Sequence, residues 1–185
     1  MSASWSRSHT LGIKQKAFSW RIDGRGNIFI KRKFRRGRFP RIDKISCSHL
    51  EKLCRYMEDM EWKDLSNGAA KLYMGTEKDG IGKFMYKLRP EVPYAQLSSQ
   101  LAAIFYHAEV WKWNERKRGM KFLLLSGDWQ EKTMQYCRNS LSRDDESISL
   151  DRFSEYTKIK TEGQEELDEM PPNGKQTKLS VFFDY

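Results

Sequence analysis

Cysteine, histidine and long apolar runs are scarce in this chain, and each shortage excludes a class of protein. Three cysteines among 185 residues are too few, and odd in number, for a small secreted scaffold held by disulfides. The longest apolar run, residues 122–125, is the size of a strand and far below the roughly 20 residues of a membrane helix. The first residues lack the apolar segment of a secretory signal. We therefore expect an intracellular protein with no membrane partner.

Candidate metal ligands are few and dispersed. The nearest approach to a zinc cluster is Cys47-x-His49 with Cys54. It lacks a fourth ligand at a suitable spacing, and Cys54 falls on the apolar stripe of a predicted helix. The glycines of 75–82 lack the Lys-Ser/Thr ending and the strand-to-helix setting of a phosphate-binding loop. The sequence thus predicts neither a bound metal nor a cofactor.

Positive charge, by contrast, is abundant and concentrated in one part of the chain. The 34 Lys and Arg outnumber the 25 Asp and Glu, which gives a net charge of +9. Residues 1–50 alone hold 13 basic and 2 acidic residues, a net charge of +11. Such polarity indicates a surface for a polyanion, usually nucleic acid. An anionic membrane is the less favoured alternative, because the basic stretch has the pattern of a strand and not of an amphipathic helix.

The spacing of apolar residues predicts an α+β domain of order ββ-α-ββ-α-β-α. It opens with a hairpin, in which 18–22 and 28–35 alternate around the Gly/Asn/Asp-rich turn 23–27. The later elements are expected to be a helix opened by a Ser48–Glu51 capping box, a second hairpin of 70–74 and 83–88, a long helix over 94–118 ended by Gly119, a buried strand over 120–125, and a short helix from Asp128 to Cys137.

Four regions are predicted along the chain. Residues 1–16 lack periodicity and are expected to form a flexible basic arm, and residues 17–138 are expected to form the nucleic-acid-binding domain. Residues 139–175 are rich in Ser, Asp, Glu, Gly and Pro, which is typical of a disordered acidic linker. Residues 176–185 become aliphatic and aromatic again. Apolar groups placed beyond a linker are typical of a docking peptide.

The most basic stretch interleaves cations with phenylalanines. On a strand, even-numbered residues of 28–34 would face the core and odd-numbered residues of 29–35 would face outward. Single-strand binders use such a surface, with phosphates on the cations and a base on the ring. The residues predicted to contact nucleic acid are Arg25, Phe29, Lys31, Lys33, Arg35, Arg36 and Arg38. The alternatives are a solvated face whose phenylalanines belong to the core, and a nuclear import signal around Lys31–Lys33.

The final residues contain one amide and three apolar side chains at fixed spacing: Gln176, Leu179, Phe182 and Phe183. One 3₁₀ turn would put Leu179 and Phe182 on the same side, with Phe183 beside them. The set resembles in full the PIP box, Q-x-x-[ILM]-x-x-[FY]-[FY], of proteins that bind PCNA, the sliding clamp of eukaryotes and archaea. The resemblance implies that Gln176 enters a small polar pocket of the clamp, while the three apolar side chains fill a hydrophobic groove. The alternative is an apolar strand that docks on its own domain.

Catalytic chemistry has weak candidates. A metal-dependent nuclease needs clustered carboxylates, and Asp128 with Glu131 and the adjacent Lys132 form the best set available. Their spacing is equally typical of a helix cap. Glu115-x-Lys117 matches the Glu-x-Lys pattern of such nucleases, but it falls on a predicted helix. The cations of 116–118 would complement the dipole of that helix.

These observations lead us to expect a PCNA-interacting, DNA-binding accessory protein of DNA replication or DNA repair. It would hold single-stranded or junction DNA on its basic hairpin while tethered to the clamp. One alternative is a metal-dependent nuclease recruited by the same tether. Another is a regulator that occupies the PCNA groove and excludes other partners. The compartment would be the nucleus in a eukaryote and the cytoplasm in an archaeon.

Overall fold

The computed structural model describes residues 4–33 and 39–142. The chain divides into two units, Met1–Asp144 and Asp145–Tyr185, and the described residues belong to the first. The described elements are, in order, β1 (Ser6–His9), β2 (Ala17–Ile22), β3 (Ile28–Arg32), β4 (Arg41–Ile45), α1 (Cys47–Tyr56), β5 (Lys63–Asp64), α2 (Ala69–Tyr73), α3 (Ile81–Leu88), α4 (Val92–Ala95), α5 (Ser98–His107), β6 (Trp111–Trp113), β7 (Lys121–Leu124) and α6 (129–142). Helices and antiparallel sheets together confirm the predicted α+β class, although the order of elements differs.

Strands β1 to β4 form one antiparallel sheet in sequence order. The predicted first hairpin is confirmed as β2 and β3, with Trp20 opposite Ile30. Its turn is held by Asp23, whose Oδ1 accepts a hydrogen bond from the backbone N–H of Asn27 at 2.8 Å. Because successive side chains on a strand point to opposite faces, Trp20, Ile28 and Ile30 share the inner face, where each is 0% exposed.

The hydrophobic core lies between this inner face and the helices. Helix α1 contributes Leu50 and Leu53, and α5 contributes Leu101, Ile104 and Phe105, all of them fully or almost fully buried. Burying one such side chain stabilises a fold by about 1.5–3 kcal/mol. A second antiparallel sheet, of order β5-β7-β6, adds its apolar side chains to the same cluster. The four-stranded sheet therefore has one face committed to the core.

The prediction of a flexible arm over 1–16 is wrong for its central part, because Ser6–His9 is strand β1. This strand pairs with β2 in antiparallel register, with Ser8 opposite Phe18. Its inward residues, Ser6 and Ser8, are small and buried, so the strand lacks the apolar alternation that marks most strands. Pairing with β2 supplies partners for its backbone groups.

The first helix begins two residues earlier than the capping-box prediction at Ser48 and Glu51. Helix α1 has Ser46 as its N-cap, and the Ser46 side chain accepts a hydrogen bond from the backbone N–H of His49. Ser48 lies inside the helix. Because both serines have a suitable side chain, the sequence did not distinguish the cap from its neighbour.

The second predicted hairpin, 70–74 with 83–88, is wrong: these segments lie largely in helices α2 and α3. Ile81 and Met85 are one helical turn apart and both buried, which gives α3 its apolar side. A Cβ atom at Gly80 would clash with the backbone oxygen of Asp64. The glycines of this region thus allow the start of α3 to approach residues 64–66 closely, instead of shaping a hairpin loop.

The long helix predicted over 94–118 is also wrong, since the chain forms α4, then α5, then β6. Helix α5 ends before Glu109, which has a φ of 57°, and the backbone N–H of Val110 donates to Phe105 O at 2.8 Å. Strand β6 follows, with Trp111 buried. Gly119 does not end a helix, because it lies in the turn between β6 and β7 with a φ of 64°.

The final elements agree with prediction in type. The buried strand expected over 120–125 is confirmed as β7, Lys121–Leu124. The last helix is confirmed and longer than expected, since it extends over 129–142 and so past the predicted domain boundary at 138. The rest of the predicted linker and the peptide 176–185 lie outside the described residues. Among the helices described, none is long and apolar enough to cross a membrane.

Candidate nucleic-acid interface

The face of the four-stranded sheet that points away from the core carries cations and aromatic rings. The strand register aligns its residues in rows across the sheet: Arg7, Ser19, Lys31 and Ile42 form one row, and Arg21, Phe29 and Lys44 form the next. We call this surface the outer face. Trp5, which directly precedes β1, completes the second row beside Arg21.

Cations and rings alternate along the second row. The guanidinium carbon of Arg21 lies 5.2 Å from the centroid of the Trp5 ring and 4.7 Å from that of Phe29. The ammonium nitrogen of Lys31 lies 5.6 Å from the Trp5 ring, and that of Lys44 lies 5.9 Å from the Phe29 ring. Each distance is within the range of cation–π attraction. These contacts hold rings and charges together on one surface before any ligand binds.

The charge of the outer face has one sign. In the four described strands, the outward positions include Arg7, Arg21, Lys31 and Lys44 but no carboxylate. Of the two nearby acids, Asp43 is on the inner side, where it forms an ion pair with Arg32. Asp23 is in the β2–β3 turn, close enough to Lys44 for an electrostatic interaction. A surface with an excess of cations attracts polyanions and raises their rate of association.

Arg21 retains hydrogen-bonding capacity within this face. Its Nε is buried and has no hydrogen-bond partner in the described part of the chain. A guanidinium between two rings can still donate from its terminal Nη groups to a phosphate or a base edge. The side chain therefore offers both stacking and hydrogen bonding.

A groove of about 420 Å³ runs along one end of the outer face. Its lining includes Arg7, Lys31 and Lys33, together with Pro40. The adjoining Phe39 is 78% exposed, an unusual state for a large apolar side chain. The groove thus continues the combination of cation and ring beyond the sheet itself.

The structure places the predicted nucleic-acid-binding residues in three settings. Phe29 and Lys31 lie on the outer face, and the predicted alternation is confirmed by the burial of Ile28 and Ile30 on the other side. Lys33 is exposed just past β3, and Arg25 is exposed in the β2–β3 turn, at the rim of the sheet. Arg35, Arg36 and Arg38 lie outside the described residues, as do the clamp-binding candidates Gln176, Leu179, Phe182 and Phe183.

Sequence reasoning missed four residues of the outer face: Trp5, Arg7, Arg21 and Lys44. Arg21 and Lys44 occupy outward positions of β2 and β4, but their relation to Phe29 depends on register, which the sequence alone did not give. A signal for Trp5 and Arg7 was present. In residues 5–9, large or cationic side chains alternate with serine, and this is a period of two.

The second basic cluster, Arg116 to Arg118, does not lie at the end of a helix. It occupies the exposed turn between β6 and β7. The side-chain Oδ1 of Asn114 organises this turn by accepting a hydrogen bond from the backbone N–H of Lys121 at 3.1 Å. The helix-dipole explanation for these cations is therefore wrong. Glu115 lies in the same turn, so its pairing with Lys117 does not sit on a helix either.

The nuclease candidates lie at the start of α6. Asp128 and Glu131 are exposed, and Lys132 donates from Nζ to the backbone oxygen of Glu109 at 3.1 Å. Within the residues that the structure describes, no group of three or more His, Cys, Asp and Glu side chains is arranged to hold a metal ion.

The zinc-like residues have separate roles in the fold. Cys54 is buried in the core, and burial raises the pKa of its thiol to about 12. The protonated thiol that results is not the form that ligates metals. His49 is hydrogen-bonded through Nδ1 to the hydroxyl of Tyr94 at 2.7 Å. Partial burial, followed by the charges of Lys52 and Arg89, lowers the pKa of His49.

Comparison of the chain with protein-family models, with curated proteins and with solved structures finds no match. Function is therefore inferred from the chemistry of the outer face and from the C-terminal motif.

Proposed function

We propose that this protein is a DNA-binding accessory factor of DNA replication or repair that docks on PCNA. The observation that supports DNA binding is the outer face, where Arg21 lies between the rings of Trp5 and Phe29 and further cations flank them. These cations form no ion pair within the described part of the chain, and such cations fit phosphates. Exposed or half-buried rings fit unpaired bases, which favours single-stranded DNA or the open part of a junction.

Binding on this face would combine two contributions. Lysine and arginine side chains neutralise backbone phosphates and release counterions, so affinity falls steeply as salt rises. Stacking of bases on Trp5 and Phe29 adds affinity that tolerates any sequence, since every base has a π-face. The proposed activity is therefore capture of a strand with little sequence preference and no chemical step.

Docking on the clamp is supported by the motif Gln176-x-x-Leu179-x-x-Phe182-Phe183. Tethering a DNA-binding domain to the ring that encircles DNA raises its local concentration without new contacts to DNA. In a eukaryote this role places the protein in the nucleus, and in an archaeon it places the protein in the cytoplasm.

The DNA-binding half is tested with the triple variant Arg21→Gln/Lys31→Gln/Lys44→Gln. Each lost phosphate contact should reduce the slope of log affinity against log salt by about 0.7 for a single strand, so three lost contacts should reduce it by about 2. The measurement is fluorescence anisotropy of a labelled oligonucleotide at four salt concentrations.

The matched control removes three cations from helices instead: Arg55→Gln/Lys71→Gln/Lys87→Gln. All three side chains are exposed, so both variants lose the same net charge. The control should keep nearly the whole salt slope. Equal losses in the two variants would mean that total charge, and not the outer face, binds DNA.

The clamp-binding half is tested with Phe182→Ala/Phe183→Ala in calorimetric titration against PCNA. Buried aromatic anchors carry much of the energy of such interfaces, so binding should become undetectable. The control Ser180→Ala/Val181→Ala changes motif positions that are not fixed, and it should bind like the wild type. Unchanged binding by the phenylalanine variant would remove PCNA from the proposal. Loss of cellular function in Phe182→Ala/Phe183→Ala, but not in the triple variant of the outer face, would favour the alternative function, in which the protein occupies the PCNA groove and excludes other partners.

A further inference from the structure

A basic cavity of about 410 Å³ adjoins the groove at one end of the outer face, with which it shares Ala17, Arg32 and Lys33. It forms where the β1–β2 loop, the end of β3, the start of α5 and the β6–β7 turn converge. Its volume falls within the roughly 300–1,000 Å³ of sites for small molecules. Its lining contains five cations: Lys14, Lys16, Arg32, Lys33 and Lys117.

One wall of the cavity is the β1–β2 loop, which is fixed at its base. The backbone N–H of Thr10 donates to Lys16 O at 3.1 Å, and the backbone N–H of Lys16 donates to Thr10 Oγ1 at 3.0 Å. A Cβ atom at Gly12 would lie 3.6 Å from the terminal methyl of Met120, so the loop also rests against the β6–β7 hairpin. Lys14 and Lys16 therefore project from an ordered loop.

Lys117 belongs to the opposite side, on the turn that Asn114 organises. Asn114 donates from Nδ2 to Gly119 O at 3.1 Å, which closes the turn. None of the described residues that line the cavity is acidic. In the described part of the chain, Lys14, Lys16, Lys33 and Lys117 form no ion pair. Their charges are thus available to an anion.

The wall formed by α5 and the segment before it is neutral and hydrogen-bonding. Asn67 donates from Nδ2 to the hydroxyls of Ser98 and Ser99 at 3.1 and 2.7 Å, which fixes its amide. Gln96 and Gln100 line the same wall. Gln100 is 7% exposed, and its Oε1 has no hydrogen-bond partner in the described part of the chain. A buried acceptor in this state favours a ligand that brings an N–H or O–H donor.

We propose that this cavity binds a nucleotide by its terminal phosphate. The lysines would take the phosphate monoester, and Gln100 would accept a hydrogen bond from a sugar hydroxyl or a base amino group. A terminal phosphate carries about 1.5 to 2 negative charges near neutral pH, whereas an internal phosphodiester carries one, so the cationic wall favours the terminal group. The nucleotide is either free or the end of a bound strand, and the strand-end form rests on the proposed function.

The test compares three oligonucleotides of one sequence, with a 5′-phosphate, a 3′-phosphate or hydroxyls at both ends. One charge-assisted contact corresponds to about tenfold in affinity, so one phosphorylated end should bind about tenfold tighter than the hydroxyl ends. Calorimetric titration with AMP and with inorganic phosphate covers the free nucleotide, and AMP should bind more tightly. Both measurements use the full chain.

Two variants locate these effects in the cavity. Lys14→Gln/Lys117→Gln should abolish the preference for a phosphorylated end and the binding of AMP. Gln100→Met, which keeps the side-chain length, should weaken the binding of AMP but leave the binding of inorganic phosphate unchanged. The control Arg55→Gln/Lys71→Gln removes two exposed cations outside the cavity and should change neither result.

The outcomes separate this proposal from DNA binding by the outer face. Equal affinity for all three oligonucleotides, together with no binding of AMP, overturns the cavity site and leaves the outer face standing. Binding of AMP without binding of any oligonucleotide supports a site for free nucleotides and overturns the proposed function. If inorganic phosphate competes as well as AMP and Gln100→Met has no effect, the nucleoside part of the proposal is wrong.

Discussion

Trp5→Ala is expected to weaken the binding of single-stranded DNA without changing its dependence on salt. Trp5 is half-buried beside the outer face, with the charged groups of Arg21 and Lys31 at 5.2 and 5.6 Å from its ring. Removing the indole deletes a stacking surface and leaves every cation of the face in place. The variant should therefore have a lower affinity and an unchanged slope of log affinity against log salt, because stacking contributes to affinity while phosphate contacts set the slope.

The size of the effect follows from the contacts. A base stacked on an aromatic side chain contributes about 1–3 kcal/mol, which corresponds to a loss of roughly 5- to 150-fold in affinity. The two cation–π contacts of Trp5 contribute about 0.5–1 kcal/mol each at an exposed site, so the loss of these contacts should lower the free energy of unfolding by about 1–2 kcal/mol. Urea denaturation checks the fold, and anisotropy titrations at several salt concentrations measure the binding. Trp5→Phe should restore most of the affinity.

The matched control is Trp62→Ala, since Trp62 is 41% exposed and lies outside the four-stranded sheet. Stacking on the outer face is refuted if Trp5→Ala binds like the wild type, or if Trp62→Ala loses as much affinity. A smaller salt slope in Trp5→Ala would give a different answer. It would mean that the ring acts by positioning Arg21 or Lys31 against phosphates.

Two further predictions concern stability. The side chains of Arg32 and Asp43 are each 10% exposed and form an ion pair at 3.1 Å. Asp43→Asn should therefore lower the free energy of unfolding, measured by urea denaturation, by about 3–5 kcal/mol. A loss below about 1 kcal/mol would contradict a buried ion pair. The second prediction concerns pH. Partial burial, followed by the charges of Lys52 and Arg89, lowers the pKa of His49 in the folded state. The stability that neutral His49 gives is therefore present above the unfolded-state pKa of about 6.5 and is lost as pH falls through the folded-state pKa. His49→Gln should therefore lose less unfolding free energy than the wild type between about pH 7 and about pH 5, and an equal loss would exclude His49 as the source.

The parts of the fold that the sequence predicted correctly are those decided by neighbouring residues. In the β2–β3 hairpin, Trp20 and Ile28 to Ile30 alternate on either side of a turn whose Asp23 holds its own backbone. Strand β7 is a short apolar run that ends before a polar segment. In both cases, the spacing of apolar residues and the polar or turn residues beside them favour the same structure. No contact between residues distant in the sequence is needed to determine it.

The wrong predictions concern segments whose structure is determined by contacts between residues that are distant in the sequence. The segment 83–88 is too short for its apolar spacing to separate helix from strand. Its state depends on the approach of α3 to residues 64–66, which Gly80 and Gly82 permit. The end of α5 depends on Glu109 adopting a positive φ so that β6 can pair with β7. Neither contact is visible from the spacing of residues along the chain.

The outer face shows the same division. Phe29 and Lys31 were predicted to face outward, because a strand alternates with a period of two. Trp5 and Lys44 join them through the pairing of β1 with β2 and of β3 with β4. Pairing across a sheet is a tertiary property, so a sequence can predict which face a residue occupies before it can predict that residue's neighbours.

The structure also shows how the basic run Lys31-Arg32-Lys33 is exposed to solvent. A linear import signal must offer consecutive cations to one partner. In the folded chain, Arg32 is 9% exposed and paired with Asp43, while Lys31 and Lys33 are more exposed. Presentation of alternate residues is how a strand displays a binding surface. Arg32 is therefore largely withdrawn from solvent, so this run does not present three equally exposed cations.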